Sequence, residues 1–297
     1  MLVVTAPTSN IGHRVLHSVV AAGADVRVVA RDAAKMSPDE RERVEVLEGS
    51  HSDAAVIDRA LDGADTLFWL CPGNPQASSA HESYLEFTRP AAAAIRRHGV
   101  ARVVIITALG RGSTAVDRAG YVTASLAADA LLHGTGAAIR SLTLPGFMDN
   151  TLRSIPTIRA QGTVYGLGAG DRRLPTVAVH DIATNAARLL LEPGWTGQQD
   201  IPLLGPEDLS SDEQAAIMAD VLQTPVRYEQ VAPEAYLREL TGYGFSDGMA
   251  QAMVDMLVAK DNGLDNAIER TPAHAQDAPT TFRQWCTDTL KPAFDAA

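Results

Sequence analysis

Sulfur is scarce in this chain: 297 residues hold two cysteines, Cys71 and Cys286, far apart in sequence. That excludes a disulfide framework and a cysteine-based metal site, and makes a reducing cytoplasm the expected compartment. No apolar run approaches the length that spans a bilayer. No basic stretch precedes an apolar segment at the N-terminus, which opens directly on a strand pattern, so no secretory leader is expected. Positive charge is short too. With 25 basic against 36 acidic residues the net charge is −11, which disfavours nucleic acid or an anionic membrane as partner, because neither is attracted over long range. What remains is a globular composition, 46% hydrophobic and 21% charged, sized for one or two domains. The expected partner is a small molecule, with a homo-oligomer left open.

Hydrophobic periodicity gives alternating elements. Strands are predicted at Val3–Val4, Asp25–Arg31, Val44–Glu48, Thr66–Cys71, Ala101–Thr107 and Ala137–Leu144. Helices are predicted over 12–22, 54–61, 81–98, 119–132 and 181–191, with Pro90 predicting a kink or break in the third. Alternation at short spacing argues for βαβ units and a doubly wound parallel sheet, α/β and Rossmann-like, over residues 1–150. Residues 151–297 change rhythm and read as a smaller, mostly helical substrate-binding region, some segments of which return to the first domain. There Ser210 and Glu213 form a capping box, and Tyr228, Tyr236, Tyr243 and Phe245 gather in one stretch.

The first βα turn, Thr5-Ala6-Pro7-Thr8-Ser9-Asn10-Ile11-Gly12, is built like a dinucleotide-binding turn. A Gly-x-x-Gly-x-x-Gly spacing falls on Ala6, Ser9 and Gly12, so only the last glycine is present. Ala6 lacks a glycine's freedom at positive φ, and Pro7 has no N–H to donate. Thr8 and Asn10 are candidate caps, Ser9 a candidate hydroxyl donor, and the helix N-terminus a site for an anion. At the end of the second strand, where an acid often holds a ribose 2′-hydroxyl, stands Arg31, followed by Asp32 and Lys35. A guanidinium suits a 2′-phosphate through bidentate charge-assisted bonds, which favours NADP(H) over NAD(H).

Five segments in order carry a resemblance: Thr5–Gly12, Val28–Asp32, Arg102–Gly110, Leu142–Asn150 and His180–Ala183. Together they resemble the NmrA-like family of atypical short-chain dehydrogenases/reductases, over nearly the whole chain and in detail up to about position 230. The resemblance implies a Rossmann-like NAD(P)-binding domain with substrate in the cleft beside a smaller C-terminal domain. It implies Thr8, Asn10 and Ile11 at the pyrophosphate, Arg31 at the 2′-phosphate and Leu70 on the adenosine side. Thr107 and Ala108 would flank the nicotinamide ribose, and Pro145, Gly146 and Phe147 the nicotinamide.

Typical short-chain dehydrogenases pair Tyr-x-x-x-Lys, the lysine lowering the tyrosine pKa. Here Tyr121 is followed by Ser125 in the lysine place, and no lysine lies between Lys35 and Lys260. Tyr121 is the candidate acid, with a wall or packing role as the alternative. Among the histidines, His13 and His17 lie four apart on a helix but lack a third metal ligand. His51 follows the third strand and borders the adenine side. His98 and His133 end helices, and His180 with Asp181 reads as a cap. No metal site is expected. The expected activity is NADPH-dependent hydride transfer to a small apolar, aromatic or quinone-like molecule. The alternatives are a non-catalytic NADP(H) sensor and a non-redox tailoring enzyme.

Overall fold

The computed structural model describes all 297 residues. Its strands are β1 (Leu2–Thr5), β2 (Val26–Ala30), β3 (Glu45–Glu48), β4 (Thr66–Trp69), β5 (Arg102–Ala108), β6 (Ala138–Leu144), β7 (Gly146–Phe147), β8 (Thr163–Gly166), β9 (Arg173–Val177), β10 (Gln198–Pro202), β11 (Asp208–Ser210) and β12 (Arg227–Gln230). Its helices are α1 (Asn10–Ala21), α2 (Pro38–Glu42), α3 (Ala54–Leu61), α4 (Phe87–His98), α5 (Tyr121–His133), α6 (Ile155–Gln161), α7 (Val179–Leu191), α8 (Ser211–Leu222), α9 (Pro233–Gly242), α10 (Asp247–Asp261), α11 (Pro272–Asp277), α12 (Phe282–Trp285) and α13 (Lys291–Ala296).

Seven parallel strands form the central sheet in the order β10-β6-β5-β4-β1-β2-β3. The order reverses between β1 and β4, and in such sheets the crevice at the reversal, beyond the strands' carboxyl ends, takes the ligand. Apolar residues pointing alternately up and down each strand meet two helix layers. One layer is α1 with α7, through Val15, Leu16, Val19, Ile182 and Ala186. The other is α3 with α4, through Ile57, Leu61, Ala91 and Ile95. The layers are thus built from both halves of the sequence: α7 backs the sheet and β10 extends it beside β6.

The remaining C-terminal elements form two small sheets, β11-β9-β7 and β12-β8, with a separate apolar cluster around Phe282, Trp285, Cys286, Met218 and Leu222. The predicted Ser210–Glu213 capping box closes the start of α8. Pro90 does not break its helix. A π-turn at Glu82–Glu86 lies one turn ahead of it, and the helix runs on through Pro90 to His98. His180 and Asp181 do not cap α7, whose N-cap is Ala178. Asp181 instead receives the Thr280 N–H at 3.0 Å and its hydroxyl at 2.9 Å, tying the C-terminal segment to the core.

Candidate cofactor and substrate site

The first turn solves the missing-glycine problem by strain. Ala6 sits at φ 50°, in the left-handed region that glycine favours, at a cost of about 1–2 kcal/mol for a residue with a Cβ. Gly12 admits no such substitution: a Cβ there would lie 2.1 Å from the Ala6 carbonyl oxygen. Ser9, not Thr8 or Asn10, caps α1. Its hydroxyl accepts from the Gly12 N–H at 3.0 Å and donates to the Ala6 carbonyl at 2.8 Å, so one side chain closes the turn from both ends. The backbone N–H groups of Asn10 and Ile11 have no protein partner, while the Ile11 side chain is buried in the core. Thr8 is exposed beside them. Unpaired N–H groups at a helix start are what a pyrophosphate needs.

Arg31 leaves the end of β2 exposed and makes no ion pair or hydrogen bond. Its neighbour Asp32 is engaged elsewhere, accepting from the Ala34 N–H at 3.0 Å to cap the short turn that contains Lys35. The guanidinium is therefore free for an anion. Across the crevice, His51 Nε2 lies 3.0 Å from the Leu70 carbonyl oxygen. A carbonyl only accepts, so Nε2 carries the proton and Nδ1 is left as an acceptor. The ring meets Trp69 and Phe87 edge-on at 5.2 and 4.8 Å. Burial presses the His51 pKa down to about 4, with nearby Arg31 adding to the effect. His51 and Leu70, from the loops after β3 and β4, are thus bonded to each other, with Arg31 near enough to act on the His51 charge.

At the other end Thr107, nearly buried, places its hydroxyl 3.2 Å from that of Ser125 on α5, and half-buried Ala108 follows it. Pro145 is buried, and Gly146 and Phe147 form β7, held beside β9. Asn10 donates to Asp149 at 3.0 Å, and Asp149 also receives the Val179 N–H and the Trp285 indole N–H. Tyr121 lies over this end. Its hydroxyl donates to the Met249 carbonyl at 3.0 Å, its ring tilts against Tyr84 at 5.9 Å, and burial pushes its pKa up to about 12. Helix α10 closes directly upon it: a Cβ on Gly120 would lie 1.9 Å from the Ala252 carbonyl oxygen.

The other histidines and tyrosines are distributed by local bonding. His13 pairs with Glu40, His98 with Asp58. Tyr228 donates to the Gly168 carbonyl, Tyr236 packs on a small cluster with Leu167 and Val254, and Tyr243 is exposed, so the aromatic stretch is not one unit. Ser125, Asp129 and His133 carry a signal that apolar periodicity does not flag: polar residues every four positions in a helix otherwise rich in Ala and Leu. Asp129, His133 and Asp200 come close enough to hold a cation, but Arg111 already bridges the two carboxylates.

These features define a nucleotide-binding crevice on a Rossmann-like sheet, and a family profile described as NAD(P)H-binding matches residues 8–193. The chain belongs to that NAD(P)H-binding family, and its fold matches that of an NmrA mutant at TM-score 0.71 and 13% identity, covering 99% of this chain and 97% of the other. It is 27% identical over 289 residues, 97% of each chain, to a (4-alkanoyl-5-oxo-2,5-dihydrofuran-3-yl)methyl phosphate reductase of Streptomyces griseus subsp. griseus. It is 25% identical over 287 residues, 96% of each chain, to an NAD(P)H azoreductase of Xenophilus azovorans. Its fold matches an NADPH-dependent quinone oxidoreductase of Escherichia coli, solved with NADPH, at TM-score 0.81 and 20% identity, covering 98% of this chain and 100% of the other. No helix is long and apolar enough to cross a membrane.

Proposed function

We propose that the protein is an NADPH-dependent reductase that delivers hydride to a small apolar, aromatic or quinone-like acceptor. The observation that carries the cofactor choice is Arg31, a cation without a partner at the end of β2. The strained Ala6 turn and the free N–H groups of Asn10 and Ile11 fit a pyrophosphate at the start of α1. Reductases of azo and dihydrofuranone compounds among the relatives, and a quinone reductase among the similar folds, support the acceptor class.

NADPH supplies the hydride; the chain's own residues orient the reactants and handle the proton. In this reading Arg31 holds the 2′-phosphate, Leu70 lies along the adenosine, and Pro145 and Phe147 wall the nicotinamide. Thr107 and Ala108 line its ribose, and residues 151–297 roof the acceptor. Tyr121, bound to a backbone carbonyl and held in its neutral form, serves as a wall of the acceptor cleft.

Titration with NADPH and NADH, following nicotinamide fluorescence, tests the cofactor assignment. Arg31→Ala weakens NADPH at least tenfold more than NADH; equal losses sink the 2′-phosphate role. Oxidation of NADPH against a panel of naphthoquinones and azo dyes tests the reaction. A second reading, a nucleotide sensor, is favoured by Ser125 in the lysine place, and tight NADPH binding with no turnover across that panel selects it.

A further inference from the structure

We propose that Thr107, Ser125, Asp129, Ser141 and His133 form a proton relay that brings the proton consumed in reduction from solvent to the acceptor. This rests on the reductase reading and supplies what it lacks, since Tyr121 is engaged with Met249 and no lysine stands beside it.

Three residues of the relay, Ser125, Asp129 and His133, sit four apart on one stripe of α5. At the cleft end the Thr107 and Ser125 hydroxyls are 3.2 Å apart. Between Ser125 and Asp129 lies a cavity of about 20 Å³, lined also by Cys71 and Tyr84. That is room for one water, and Ser125 and Asp129 are the polar residues among those that line it. Beyond it the fully buried Asp129 carboxylate accepts from Ser141 at 2.8 Å. Ser141 in turn lies 2.9 Å from His133 Nε2, and the His133 side chain is 22% exposed.

The donors and acceptors at the outer end face one way. The Gln198 amide nitrogen donates to the His133 carbonyl at 2.7 Å, which turns its oxygen toward His133 Nδ1, 3.0 Å away. Ser141 gives its own proton to Asp129 and offers a lone pair to Nε2. Both ring nitrogens therefore face acceptors, the arrangement for an imidazolium. The charged groups around the ring are Asp129 from its own helix, Asp200 from β10 and Arg111 from the loop after β5. The hydrogen bond with Asp129 raises the His133 pKa, and Arg111 opposes it. Arg111 also pairs with the buried Asp129 carboxylate.

For a carbonyl-type acceptor, hydride adds to carbon and the C=O electron pair moves to oxygen. That oxygen takes the Thr107 proton. Ser125 reprotonates Thr107, the cavity water reprotonates Ser125, and Asp129 passes on a proton received through Ser141 from His133. His133 recharges from solvent. One acceptor, one NADPH and one proton give the reduced acceptor and NADP⁺.

The test uses the full-length protein with NADPH and 2-methyl-1,4-naphthoquinone. Ser125→Ala and His133→Ala each lower kcat by about tenfold or more, the lower range of a proton-transfer contribution, with KM for NADPH unchanged. Added imidazole restores His133→Ala but not Ser125→Ala, a pattern that a merely structural role does not give. Independently of turnover, nitrogen-15 NMR finds His133 titrating above the ordinary value of about 6.5, and lower in Asp129→Asn. Wild-type kcat in His133→Ala, no rescue by imidazole, or an ordinary His133 titration each overturns the relay while leaving the reductase reading standing. A wild-type protein that binds NADPH but oxidises it against none of the naphthoquinones or azo dyes overturns both.

Discussion

The Asn10 side-chain amide donates to the Asp149 carboxylate across 3.0 Å, joining the first turn of the chain to the turn that follows the last strand of its first half. Asp149 also holds the start of α7 and the Trp285 indole, at 3.2 and 3.1 Å. Four segments distant in sequence are thus fixed by one carboxylate. Hydrogen bonds to a charged group contribute about 1.5–3 kcal/mol each, so Asp149→Ala destabilises the protein by about 3 kcal/mol and also weakens NADPH binding by releasing Asn10. Urea unfolding and nucleotide titration measure the two effects; an unchanged urea midpoint would refute the bracing role.

The strain at Ala6 is removable. Ala6→Gly relieves the left-handed conformation and raises stability by about 1 kcal/mol, after the glycine's greater unfolded-chain freedom is counted. Gly12→Ala does the reverse, because a Cβ would strike the Ala6 carbonyl at 2.1 Å. Thermal melts of the two variants should move in opposite directions, and a destabilised Ala6→Gly would show that the turn is not strained.

His51 makes stability depend on pH. Its folded pKa, pressed by burial to about 4, lies below the unfolded value of 6.5. Between those values the unfolded chain binds the extra proton, so stability rises with pH through this window and is lost as pH falls through it. The depression corresponds to about 3 kcal/mol, complete only below pH 4. Urea midpoints of wild type at pH 7 and pH 4.5 should differ by more than those of His51→Phe. An equal difference in both proteins assigns the acid sensitivity to other groups.

Tyr121→Phe removes a hydroxyl bonded to the Met249 carbonyl. The expected cost is about 1 kcal/mol of stability and less than a threefold change in kcat, with no shift in the pH–rate profile. A hundredfold loss would make Tyr121 the acid.

Thr107→Val keeps the shape of the strand end and deletes its hydroxyl. NADPH affinity should hold within about threefold while kcat falls by about a hundredfold, the scale of a lost proton donor. Steady-state kinetics with the same naphthoquinone separates the two parameters, and a loss confined to KM for NADPH would leave Thr107 as a ribose contact alone.

β1 to β6 were legible because each is a short, mostly apolar run bounded by Gly, Pro or polar residues, and the central sheet joins them in parallel register. β10 was not, since Gln198-Gln199-Asp200-Ile201-Pro202 is polar; it lies at the sheet's edge, paired on one side only, where polar residues are tolerated. The path through Pro90 was hidden because a π-turn has no composition of its own. In the site, Arg31 stood out as a charge at a strand end. His51 and Leu70 meet only through tertiary packing. The assignment of Ser9 as cap depended on turn geometry that Thr8 and Asn10 share in composition.

Because β10 completes the sheet and α7 backs it, the molecule cannot be cut at position 150 into a nucleotide module and a cap. Cleavage there leaves a six-stranded remnant with one helical layer stripped of half its cover, a fragment apt to aggregate. Exchange of acceptor preference between relatives must therefore graft inserted segments between fixed joints, and chimeras joined end to end would lose the fold along with the activity.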